Sequence, residues 1–320
     1  MPSGLKVPQE FWSSYVIEKT FKSNPHLAFA YNESKNVQGG AVVYIPQAGG
    51  RPTVIKNRAT FPAVAVERGD TAVVYTLDVW STNPTVISWD DAQQISYAKT
   101  DSVMGDHTGT LAEVIGDEML YNWVRGFVPA VGGGTTASLL PVSRIIPTSG
   151  IAEAVNGVDG QTGTRKAFSY KEIAKLQAVF NKDNVLKTDR YGVIESFMLA
   201  QLMDSLTTNQ MHAFEQTADL KNGILGKLYG FTILDRSSVL AYNAANTTPN
   251  LPGQALAATD NLAAFFWQKD SVAISIGDTE LFQNQNDPLY YGDVYSGIVK
   301  MGGRCRRADW KGVGAIVQVP

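Results

Sequence analysis

Cysteine is almost missing from this chain: Cys305 is the one among 320 residues, so no internal disulfide holds the fold and the composition suits a reducing compartment. Histidine is scarce too. His26, His107 and His212 lie far apart and show no zinc-site spacing. Neither sign of charge dominates, with 27 Lys and Arg against 30 Asp and Glu and a net charge of -3. Bulk electrostatics therefore give no sequence-independent grip on a phosphate backbone, and a basic tail is absent. Long apolar runs are missing as well. The most apolar one, Ala263 to Trp267, is far short of the roughly 20 residues that cross a bilayer. The first residues, MPSGLKVPQEFWSSYVIEKTF, mix charged, polar and aromatic side chains without the apolar core of a signal peptide. The expectation is no membrane partner.

What is present is apolar content, 44% of the chain, enough for two or three joined domains with most of their surface buried. The longest uninterrupted helical signal is Thr108 to Phe127, TGTLAEVIGDEMLYNWVRGF. Thr110 and Glu113 form a capping-box pattern at its start. At about 100° per residue, Leu111, Val114, Ile115 and Met119 share one side, whereas Leu120, Trp123, Val124 and Phe127 swing to another. A helix with a shifting apolar stripe needs one partner early and a second one late. It reads as a structural axis, with an ordinary buried helix of one large domain as the alternative.

Residues 1 to 37, with Pro2, Pro8 and Pro25 and a short amphipathic piece around Phe11, Tyr15, Ile17 and Phe21, read as an extended arm. Ala41 to Ile45, a turn at 49 to 52 and Thr53 to Ile55 read as a hairpin with a broad loop. Two such strands are barely stable alone, so the hairpin must lie on something else. Thr71 to Trp80 alternates like a half-buried strand, Ser88 and Asp91 start a short helix to Ala98, and Gly105 and Gly109 break the chain. Residues 128 to 165 are rich in Gly and Pro and read as a junction. Beyond it, Ser169 and Glu172 cap a helix carrying Ile173, Leu176 and Phe180, and Ser196 caps another through Leu206. Strands are expected at Tyr191 to Ile194, Gly230 to Leu234, Val272 to Ile276, Tyr295 to Met301 and Gly312 to Val319, giving an α+β chain.

Chemical constellations are sparse. Gly132, Gly133 and Gly134 lack the lysine that a phosphate-cradling loop needs. Asp101, Asp106, His107 and Asp117 form the densest acidic and imidazole set, but without ligand spacing for a hard cation or zinc. No serine sits in a nucleophile elbow. Cys305 lies in the sequence Arg304-Cys305-Arg306-Arg307, where positive neighbours favour a thiolate, yet it has no histidine close in sequence. No residue is therefore expected to be catalytic, and neither cofactor nor metal is called for. The arginines leave three uses open: carboxylates of a neighbouring chain, phosphates, or a solvated strand face. With Gly49, Gly50 and Arg51 in the loop, Arg304, Arg306 and Arg307 are the expected subunit-interface residues. Replacing all three arginines is expected to leave a folded subunit that fails to assemble.

The order of these elements, and several phrases within them, resemble the major capsid proteins of tailed bacteriophages, with the Hong Kong 97-like fold. The phrases are Ile95 to Asp101 running into Gly109 to Trp123, Arg190 to Ile194 before a helix, Gly226 to Phe231 before a strand, and Tyr291-Gly292-Asp293 leading to the basic strand and Gly312 to Gly314. The resemblance covers most of the chain. It implies an N-terminal arm at 1–37, an extended loop at 38–70, a peripheral domain at 71–130 and 280–320 with the long helix as its spine, and an axial domain at 131–279. The implied function is mechanical: pentamers and hexamers of one chain close into an icosahedral head around double-stranded DNA, touched by weak non-specific contact. Virion localisation after assembly in the host cytoplasm follows. The chain opens almost directly on the arm, so scaffolding is expected from a separate protein or is unnecessary, and portal and decoration proteins are the further implied partners. An encapsulin-like compartment shell is the near alternative, and a soluble α/β enzyme, which would need a convergent polar pocket, is the distant one.

Overall fold

The most apolar run forms the middle of the molecule. In the computed structural model, which describes residues 6–39, 42–49, 52–59, 61–63, 65–88, 99–125, 139–155, 160–219 and 223–320, Asn261–Gln268 is a strand buried at every position. It is flanked by Arg190–Glu195 on one side and Val313–Val317 on the other, both antiparallel. Phe231–Arg236, Ile224–Leu228, Ile145–Pro147 and Leu240–Tyr242 complete a seven-stranded sheet. The strand alternation decides its two cores. Ala264 and Phe266 face Phe168, Ile173, Leu176, Phe180 and Met198, which come from the helices Tyr170–Lys182 and Ser196–Ser205 or the turn just before the first. Phe265 and Trp267 face the end of the long helix and the arm. Gly192 lies opposite Phe266 because a Cβ there would come within 2.4 Å of the ring.

The second sheet is built on one long hairpin, Val272–Asp287 paired with Gly292–Cys305. Tyr31–Asn32 adds in parallel at Ala273 and Ile274. Asp78–Ser81 and Thr85–Ser88 pair along the other edge of Gly292–Cys305. The expected strand Thr71 to Trp80 is thus two strands meeting at Leu77: Thr71–Thr76 turns away to pair with Val42–Gln47. The expected domain boundary at 279–280 falls inside the long hairpin, and Val313–Val317 joins the larger sheet.

Lys99–Val124 forms one helix of 26 residues, about 39 Å long, lying on the hairpin. It begins before Thr108 and runs through Gly105 and Gly109, so the Thr110 and Glu113 pattern lies mid-helix and is no cap. The Thr108 hydroxyl instead donates to the Met104 carbonyl one turn back, at 2.6 Å. Interior glycine costs about 1 kcal/mol, which packing offsets: Lys19 Nζ donates to the Gly105 carbonyl at 3.1 Å. Leu111, Ile115, Met119, Leu120, Trp123 and Val124 are all buried, whereas Val114 is exposed. Phe127 and the short helix expected from Ser88 to Ala98 lie outside the described residues, apart from Ser88 itself, which closes a strand.

The arm is helical where an extended segment was expected: Lys6–Ser23 is an α-helix. Pro8 is its third residue, in the first turn, where a missing N–H breaks no hydrogen bond. Val16, Thr20 and Leu27 supply the buried stripe, with Phe21 packed beside it, while Tyr15 is exposed. The Ser169 and Glu172 capping box is present. The next helix is capped by Glu195, one residue before the serine expected there: its carboxylate accepts from the N–H groups of Phe197 and Met198. A further helix, Thr208–Glu215, opens on a capping box of Thr207 and Gln210 that the reading above does not contain.

Candidate subunit interface

The strand Gly292–Cys305 ends where three elements converge, and the arginines around its end serve each of them. Arg306 reaches the arm: its guanidinium lies 2.8 Å from the buried Glu33 carboxylate, stacks 3.9 Å over the Tyr31 ring and donates to the Asp270 carbonyl at 2.9 Å. Its own carbonyl accepts from Gln47 at 2.8 Å, at the foot of the loop. Arg304 donates to the Gly303 carbonyl at 2.8 Å and lies 3.9 Å from Asp78, with burial pushing its pKa down. Arg307 grips Asp309 with two parallel bonds of 2.9 and 3.0 Å, and Lys311 lies 3.3 Å from the same carboxylate. Burial would raise the Asp309 pKa, but these partners hold it down at about 2.

Each arginine therefore has a carboxylate of its own chain, a use the three sequence readings did not contain. Asp309 is two residues from Arg307 in a turn and was locally legible. Glu33 is more than 270 residues from Arg306, and no local pattern announces it. Among the three, Arg307 is the most exposed. Cys305 between them is buried, and burial pushes its thiol up to about 12, the opposite of the thiolate that arginine neighbours favour.

The loop leaves the fold through a pinched neck. The Gly49 N–H donates to Asp70 Oδ1 at 2.7 Å, and Arg68 Nε donates to the same oxygen at 2.6 Å. A Cβ on Gly49 would sit 2.2 Å from the Gly69 carbonyl oxygen, so glycine is required by close approach. Gly50 and Arg51 lie outside the described residues. The strand that returns to Val42–Gln47 is Thr71–Thr76; Thr53 to Ile55, expected in that role, are exposed loop. The base is well held, with Val43, Ile45, Val73 and Tyr75 buried against Leu77 and Ala273, and Tyr75 Oη 2.7 Å from Ser275 Oγ. Beyond the neck, Val54, Ile55, Phe61 and Val66 are exposed.

The residues considered for chemistry do not converge. Asp106 points to solvent, His107 is buried with its pKa lowered by desolvation, and Asp117 pairs with Arg236 at 2.8 Å. Asp106 and His107 line a cavity of about 430 Å³ with Trp80, Thr110, Leu111 and Val114. Among the described residues no three His, Cys, Asp or Glu side chains are placed to hold a metal ion. The Asp101 side chain and Gly132 to Gly134 lie outside the described residues.

No protein-family model and no curated protein matches the chain. Solved structures do. The capsid of Ralstonia phage GP4 superposes with a TM-score of 0.60 at 11% identity, over 91% of this chain and 86% of that one. The cyanophage Pam1 capsid matches at 0.61 and 10% identity, covering 90% and 88%, and the cyanophage P-SCSP1u capsid at 0.57 and 16%, covering 90% and 85%. With two large sheets, a long helix lying on a long hairpin, a helical arm and a projecting loop, this chain has the Hong Kong 97-like fold of phage capsid proteins.

Proposed function

We propose that this chain is the major capsid protein of a tailed bacteriophage, a structural protein without catalytic activity that assembles as pentamers and hexamers into an icosahedral head around double-stranded DNA. The observation that carries the reading is the loop on this fold. Residues 52–59 and 65–70 hold Val54, Ile55 and Val66 in solvent, an exposure that monomeric proteins avoid and that copies of a repeating shell remove by covering one another. The expected contact residues Gly49, Gly50, Arg51, Arg304, Arg306 and Arg307 fit this in two ways. Gly49 lies at the pinched neck of the loop, and the Arg306 carbonyl holds Gln47 at its foot. Scaffolding, portal and decoration proteins would be the other partners.

Expression of the chain, alone and with a scaffolding protein from the same genome, tests the reading. Sedimentation and negative-stain microscopy are expected to reveal closed shells of uniform diameter. A protein that stays monomeric under both conditions overturns it, and shells that carry an enzyme in place of nuclease-protected DNA in infected cells would make it a cellular compartment.

A further inference from the structure

The cavity of about 430 Å³ lies between the long helix and the strands Asp78–Ser81 and Thr85–Ser88, and it falls within the range of small-molecule pockets, which begins at about 300 Å³. Its helix side follows from spacing. Val103, His107, Thr110, Leu111 and Val114 recur every three or four residues and so share one face. Its other side is pinned: both strands pair with Gly292–Cys305, and the turn between them is clasped twice. The Gly297 N–H donates to Thr82 Oγ1 at 3.0 Å, and the Thr82 N–H donates to the Gly297 carbonyl at 3.0 Å. The walls are thus formed before any ligand arrives.

Two side chains in these walls are poorly served by the fold itself. His107 is 8% exposed, and its buried Nε2 has no hydrogen-bond partner among the described residues, a state that buried polar groups avoid. Val114 is exposed although Leu111 and Ile115 beside it are buried, because its side of the helix opens on the cavity. The lining is amphipathic. Trp80, Leu111 and Val114 make it apolar on one hand, and Asn83, Asp106 and Thr110 bring exposed polar groups on the other. Desolvation lowers the His107 pKa, so the neutral ring offers one donor and one acceptor. No lysine or arginine lines the cavity. An anion would find no cation there and would meet Asp106 instead, which rules out phosphates and carboxylates. A nucleobase gains from flat partners on both faces, and Trp80 is the one large aromatic ring in the lining. A sugar ring suits both sides: its C–H face fits an indole and aliphatic side chains, and its hydroxyls, each a donor and an acceptor, match a mixture of amide, hydroxyl, carboxylate and imidazole.

We infer that this cavity is a binding site for a neutral sugar of one or two rings, with Trp80 and Val114 against its C–H face and His107, Asn83, Asp106 and Thr110 on its hydroxyls. The site lies within one subunit and stands apart from the shell reading. Because its exposed polar groups exchange water for the ligand with little net gain, binding is weak, with a Kd on the order of 1 mM.

The test is saturation-transfer NMR on the purified full chain, which reads the ligand's signals and so suits a single subunit and a shell alike. The probes are glucose, galactose, mannose and N-acetylglucosamine at millimolar concentration. At least one is expected to receive saturation at its ring C–H protons, with a signal that levels off as its concentration rises. Asn83→Ala with Thr110→Val, both exposed positions, is expected to keep the circular dichroism of the chain and to lower the transfer at least about fivefold. His107→Leu is expected to lower it as far and to keep the melting temperature, since it takes an unpaired nitrogen out of the fold. Lys187→Glu, on an exposed stretch elsewhere, is the control with normal transfer. A His107→Leu protein that melts lower but keeps the transfer would make His107 a packing residue and overturn the inference. Normal transfer in the Asn83 and Thr110 variant, no transfer to any of the four sugars, or transfer to adenosine or thymidine in their place would overturn it as well.

Discussion

The Trp123 indole N–H donates to the Ala273 carbonyl at 3.0 Å, tying the long helix to the root of the long hairpin. The same ring lies 5.3 Å from Trp267 and 6.1 Å from Phe265 in the central strand of the larger sheet. One side chain thus touches both sheets. The late face of the helix belongs to the core of the subunit, where the hairpin and the larger sheet meet it together.

Trp123→Ala removes this joint. Trp123 is fully buried, so the expected cost is about 3–5 kcal/mol, with the indole bond to the Ala273 carbonyl lost as well. Urea unfolding followed by circular dichroism measures it; a loss below 1 kcal/mol would mean that the joint is dispensable.

His26 sets a dependence on acid. Burial, with the charge of Arg236, pushes its pKa from 6.5 to about 3. The unfolded chain then binds a proton that the folded one refuses, so stability is present above pH 6.5 and is lost as the pH falls from 6.5 towards 3. The slope approaches about 1.4 kcal/mol per pH unit. Comparing the stability of the unaltered protein and His26→Gln at pH 7 and pH 4.5 isolates it, and the gap between the two is expected to narrow in acid.

Gly116→Ala should destabilise, although alanine is the better helix former. A Cβ at Gly116 would fall 2.0 Å from Asn24 Oδ1 and 2.6 Å from Arg236. Asn24 cannot swing aside freely: its amide donates to the Ala112 carbonyl at 2.7 Å, and its oxygen accepts from Arg236. Overpacking of about 1–3 kcal/mol is expected, against a propensity gain of about 1 kcal/mol. A melting temperature above that of the unaltered protein would contradict the close fit.

The arginines separate by burial. Arg306→Ala strands the buried Glu33 carboxylate and is expected to cost about 3 kcal/mol, with the arm more open to protease. Arg307→Ala breaks an exposed pair and should change stability by less than about 1 kcal/mol. Replacing Arg304, Arg306 and Arg307 together therefore weakens the subunit before it probes assembly, and Arg307 alone is the cleaner test of a contact with a neighbouring copy. Chemical denaturation of the two single variants checks the order.

Much of the architecture was legible because it rests on local pattern. The apolar stripe of the long helix, the Ser169 and Glu172 box and the alternation of the strands need only neighbours within a few residues. The missed helix start illustrates the limit: Gly105 and Gly109 are locally unfavourable, and distant partners support the first turns, with Lys19 of the arm bonding the Gly105 carbonyl and Met104 packing on the core. The return strand of the loop was misplaced for a related reason. Thr53 to Ile55 have strand propensity, but pairing is decided by which strand can also bury a face, and Val73 and Tyr75 can bury theirs beneath the hairpin.

The sequence by itself determined that this is an α+β chain with ample core, a single cysteine, no zinc spacing and a long helix, because composition and period act residue by residue. Only the tertiary structure decided what the charged groups do. It gave Arg306 to Glu33 and Arg236 to Asp117, and it left Lys56, Tyr290 and Tyr291 facing solvent. Charge pairing across hundreds of residues depends on where folded surfaces meet, and nothing in the local chain encodes that distance.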